Sequence, residues 1–129
     1  MAIAYWCILI AALLPYLWVA VAKAGGKRYD NRDPRGWLAK QDNPRVARAN
    51  GAQLNAWEAF APFAASVLMA QAAGVPAGDI GNLAVAFVVL RVLHGVFYVG
   101  NYHYLRSLAW AGGIGVVVAL MVKAAGAVA

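Results

Sequence analysis

Residues 2–22, AIAYWCILIAALLPYLWVAVA, contain no charged side chain. An uncharged apolar run of about 20 residues matches the hydrocarbon thickness of a bilayer when helical. No basic residue precedes it, so it is expected to be a membrane span and not a cleaved leader. Pro15 should bend the helix without ending it. The remainder repeats the theme. Of the 129 residues 64% are hydrophobic and 12% are charged, too apolar for one water-soluble core of this size.

The polar stretch 23–43 is rich in Gly, Asp, Asn and Pro and reads as a loop with room for a short ordered turn. Asn43-Pro44 is a helix start, an N-cap followed by proline in the first turn. The sequence therefore predicts helices over about 2–22, 44–73, 80–99 and 105–125, with Asp79 capping the third. Roughly 30 residues make the second helix about 45 Å long, so its basic beginning should protrude from the membrane. Pro62 should bend this helix. AGGIG near the chain end permits close backbone approach between helices. The expected architecture is all-α, an integral membrane four-helix bundle forming one domain.

Location of charge, more than its sum, carries information. The formal charge is +6, and eight of the eleven Lys and Arg fall between residues 23 and 48. Such clustering predicts a cytoplasmic loop touching anionic lipid, with both termini outside, and does not describe a nucleic-acid surface. An integral membrane location follows as the expectation. Cys7 is the single cysteine, which excludes an intrachain disulfide or a thiolate metal cluster. No metal site is expected.

Polar residues inside the apolar segments form two stripes. At about 100° per residue, with Arg48 at zero, Gly51, Asn55 and Glu58 fall near 300°, 340° and 280°. Counted likewise from Arg91, His94 and Tyr98 fall near 300° and 340°. Glu58 lies roughly 22 Å from the outer end of its helix and Arg91 roughly 18 Å from that of the next. Opposite charges at similar depth are expected to pair directly, because either alone would be costly in lipid. Asn55, His94, Tyr98 and Arg106 would then rise toward a cytosolic mouth. Structural readings stand beside this one: a buried ion pair for assembly, an interhelical amide contact, a packing histidine, and an aromatic belt of Tyr98, Tyr102, Tyr104 and Trp110.

Two segments, RANGAQLNAWEAFAPF and RVLHGVFYVGNYHYLRSLAW, resemble the membrane-associated proteins in eicosanoid and glutathione metabolism (MAPEG), in the style of the bacterial branch, which implies a bacterial inner-membrane location. The resemblance implies a homotrimer with glutathione as co-substrate at a cytosol-facing site between subunits. It implies catalytic roles for Arg106, Ser107 and Tyr98, the arginine stabilising a glutathione thiolate. Arg48, Asn55, Glu58, Arg91 and His94 would bind or brace glutathione. One departure is that relatives carry an arginine where this chain has Gly51. The activity implied is a glutathione-dependent transferase or peroxidase acting on a lipophilic small molecule. The alternative is a non-enzymatic protein of the same fold that binds lipid or serves a larger complex. Absence of an inverted repeat argues against a transporter.

Overall fold

The computed structural model describes residues 1–129. Five helices follow one another: α1 (Ala2–Gly25), α2 (Pro34–Ala39), α3 (Pro44–Ala72), α4 (Ala77–Val99) and α5 (His103–Ala127). Four are long and lie side by side. α1 packs on α3 and α4, α4 on α5, and α3 touches α1, α4 and α5. Helices α1, α4 and α5 are long and apolar enough to cross a membrane. α3 does not reach that composition, because its 29 residues include Arg45, Arg48, Asn55 and Glu58.

Local chemistry sets the helix ends. The Asn43 side chain accepts from the Arg45 N–H (3.0 Å) and donates to the Gly25 carbonyl (2.9 Å), so the α3 cap also ties down the end of α1. Within the polar loop, Asp33 caps α2 by accepting from the Gly36 N–H. The Trp37 indole N–H is shared between the carbonyls of Lys27 and Arg28. Arg32, hydrogen-bonded to Asp30, holds that carboxyl below its ordinary pKa range. What the composition describes as a loop thus contains a capped helical turn.

Asp79 does not cap α4. The helix starts at Ala77, with Pro76 in the N-cap position three residues before Asp79 and no side-chain cap. Asp79 lies in the first turn and accepts from Lys123 Nζ at 3.0 Å, joining the start of α4 to the end of α5. Just beyond the end of α4, Asn101 has φ 64°, and the Tyr102 N–H reaches back to the Phe97 carbonyl at 2.8 Å. This left-handed stop, which asparagine tolerates, fixes the direction in which α5 begins.

Apolar side chains fill the interior in two clusters. One joins Phe63, Val67, Ile80, Phe87 and Leu120 near the α3–α4 hairpin. The other joins Leu14, Trp18, Trp37, Val46 and Val99 near the loop. Rings of Phe63 and Phe87 stack 3.8 Å apart in the first cluster. Between the clusters runs the polar level of Asn55, Arg91 and His94. The outward faces are apolar as well, with Trp6, Leu13, Leu108 and Val122 between 55% and 68% exposed. Water does not tolerate such a surface around an entire domain, whereas lipid does.

Candidate functional site

α3 supplies Asn55 and Glu58, one turn apart. α4 supplies Arg91, His94 and Tyr98, again at helical spacing, and α5 supplies Arg106 and Ser107 at its start. Packing of α3 on α4 and α5 brings the three sets together.

Glu58 and Arg91 do not form the direct pair expected from their depth. Arg91 Nη2 donates to Asn55 Oδ1 at 2.7 Å, and Asn55 Nδ2 lies 3.4 Å from Glu58 Oε2. The amide therefore relays between the charges: its carbonyl faces the guanidinium and its NH2 group the carboxylate. Depth alone could not reveal this, because lateral register decides which group of α3 meets Arg91. Arg91 and His94 are each 3% exposed, and Arg91 Nε and His94 Nδ1 have no hydrogen-bond partner.

Two cavities meet at this level. The inner one, of about 200 Å³, is lined by Asn55, Glu58 and Arg91 and by the apolar Pro62, Phe87 and Ile114. Having no N–H, Pro62 leaves the Glu58 carbonyl without its helical donor at the cavity edge. The outer one, of about 260 Å³, is lined by Asn55, His94, Tyr98, Arg106, Ser107 and Trp110. Asn55 and Trp110 belong to both walls. The two cavities thus adjoin, the outer one mostly polar and the inner one mixing apolar walls with Glu58 and Arg91.

At the polar end the Arg106 guanidinium lies 4.5 Å from the centre of the Tyr98 ring, and His94 meets that ring edge-on at 5.6 Å. No carboxylate neutralises Arg106: the molecule's three ion pairs are Lys27–Asp42, Arg32–Asp30 and Lys123–Asp79. The guanidinium N–H groups remain free for an anion. Ser107 Oγ donates to the His103 carbonyl at 3.0 Å, which leaves its lone pairs, not its proton, for a ligand.

Seven of the eight residues singled out from the sequence line these two cavities. Arg48 does not. Its Nε–H donates to the Val99 carbonyl at 3.0 Å, where it closes the end of α4. Trp110 was absent from the expected set. The signal was present, since it follows Arg106 by four residues and Ser107 by three and so shares their helix face. Aromatic residues near a helix end also suit a lipid interface, and that reading concealed it. A separate cleft of about 510 Å³ beside the basic loop contains none of the expected residues.

The model of the MAPEG family matches residues 3–126 of the chain. No curated protein and no solved structure matches it.

Proposed function

Because the chain belongs to the MAPEG family, whose members include glutathione transferases and peroxidases, we propose that it is a membrane-bound, glutathione-dependent enzyme acting on lipophilic electrophiles. It is an integral membrane protein. The observation that carries the reading is the pair of adjoining cavities: one holds the unpaired guanidinium of Arg106, and the other sets Pro62, Phe87 and Ile114 beside Glu58 and Arg91.

A thiol is a weak nucleophile until its thiolate is stabilised, and a nearby cation does so electrostatically. Arg106 is given this role, because a guanidinium keeps its proton and cannot act as a base. The Tyr98 hydroxyl is an available side-chain donor to the sulfur, while Ser107 would first have to release the His103 carbonyl. In a transferase step the thiolate attacks an electrophilic carbon and a C–S bond forms. The displaced group leaves with its electron pair and takes a proton from water. In a peroxidase step two thiols are oxidised to a disulfide while one hydroperoxide is reduced to an alcohol and water. The apolar walls of the inner cavity suit the lipophilic body in either case.

In the assembly we infer, α3 is a fourth span, the 23–43 loop is cytoplasmic, and three copies associate to complete a glutathione site between subunits. The family resemblance and the clustered basic residues support these features. A second reading, a non-catalytic lipid-binding protein or accessory subunit, is favoured by one specific observation. The Tyr98 ring fills the space beside Gly51, and Arg48 is engaged at Val99, so a second cation is missing from the mouth.

Calorimetry of glutathione binding to the detergent-purified protein separates the readings, with ultraviolet absorbance reporting the thiolate. Binding with a thiolate band that disappears in Arg106→Ala is the expected result. Absence of binding at millimolar glutathione would transfer the assignment to the second reading.

A further inference from the structure

Gly51 is in the middle of α3, where glycine lowers helix stability and alanine would ordinarily serve better. Its role becomes apparent from what lies above it. A Cβ at this position would fall 2.5 Å from the Tyr98 hydroxyl oxygen and 2.7 Å from Cζ. The tyrosine ring rests where a side chain of residue 51 would stand. Its face carries the Arg106 guanidinium, and its flank meets the edge of His94.

We infer that Gly51 and Tyr98 form a positioning pair for Arg106: the glycine admits the ring to the surface of α3, and the ring holds the guanidinium over its face with N–H groups free for one anionic group. This deepens the proposed function and rests on Arg106 being the anion-binding cation. Stacking restricts an arginine without neutralising it, unlike a carboxylate partner, which would occupy the same N–H groups. The walls of the two adjoining cavities carry Glu58, Arg91 and Arg106 as formal charges. One carboxylate against two guanidiniums leaves a single positive charge. The mouth therefore suits one thiolate or carboxylate, not a pair of anionic groups bound side by side.

The test uses the full-length protein in detergent and arginine modification by phenylglyoxal, followed residue by residue by mass spectrometry. Exposed Arg28 in the loop is the internal reference. A guanidinium held over a ring is shielded from the reagent on that side. Arg106 should react about two- to fivefold faster relative to Arg28 in Gly51→Ala and in Tyr98→Leu, the range expected for loss of a cation–π contact. Tyr98→Phe, which keeps the ring, should react as the unsubstituted protein does, a rescue that a merely structural loss would not give. Should Gly51→Ala fail to fold, the two Tyr98 variants decide alone. A folded Gly51→Ala or Tyr98→Leu protein in which Arg106 reacts at the unsubstituted rate overturns the inference, as does a fast Tyr98→Phe variant. Glutathione added to the unsubstituted protein separates the two layers. Protection of Arg106 supports the proposed function. Loss of protection, with the variants still responding, removes glutathione as the ligand and leaves the positioning pair standing.

Discussion

Arg91 is the one formally charged residue buried in the molecule, and its side-chain acceptor is the Asn55 carbonyl. Hydrogen bonds to charged groups are worth more than neutral ones, and a buried donor left without a partner bears its desolvation cost. Asn55→Leu should therefore lower stability by about 2 kcal/mol, measured as a loss of thermal midpoint in detergent. Glu58→Gln should cost less than about 1 kcal/mol, because Glu58 is exposed within the subunit and its contact with Asn55 is long, at 3.4 Å. The reverse order would show that the carboxylate, not the amide, compensates Arg91. Sequence reading found all three residues, since their spacing puts them on facing stripes. Spacing pairs Arg91 with Glu58 and not with Asn55, because helical periodicity gives a residue's face and depth but not its lateral neighbour.

At the level of elements, close approach depends on small residues whose value appears only after docking. Gly95 on α4 faces Trp18 of α1, and a methyl group there would fall within the indole ring. Trp18 is 5% exposed and has little room to withdraw. Gly95→Ala should push α1 from α4 at a cost of about 1–3 kcal/mol, as overpacking does, readable in the same unfolding assay. The Asp79–Lys123 contact predicts the opposite. Its side chains are 50% and 47% exposed, and exposed pairs contribute under about 1 kcal/mol. Lys123→Ala should leave the midpoint nearly unchanged, and a large loss would mean the pair is shielded from water. Helix existence was readable from uncharged length and from the Asn43-Pro44 start. The start of α4 was not, because Pro76 and Asp79 are both acceptable signals and only the backbone decides between them.

For the whole molecule, the distribution of charge is the feature to test. With Cys7 replaced by alanine, single cysteines at Asn31 and Ala77 would report opposite sides of the membrane. An impermeant maleimide should label Ala77→Cys in intact spheroplasts and Asn31→Cys only after the membrane is opened. Equal labelling of both would remove the four-span topology with the basic loop inside. The same assay tests α3, the helix that length marks as a span and composition does not.

The sequence by itself determined that this chain is helical, apolar on its outer faces and provided with two polar stripes. These properties depend on residue type and on spacing of three and four along a helix, which need no knowledge of neighbours. Only the tertiary structure decided that Asn55 stands between Glu58 and Arg91, that Arg48 closes α4, that Trp110 joins two cavities, and that Gly51 makes room for Tyr98. Each is a contact between residues far apart in the chain, set by the rotation and shift of one helix against another. A small shift in that docking changes the partner while leaving every periodicity in the sequence as it was.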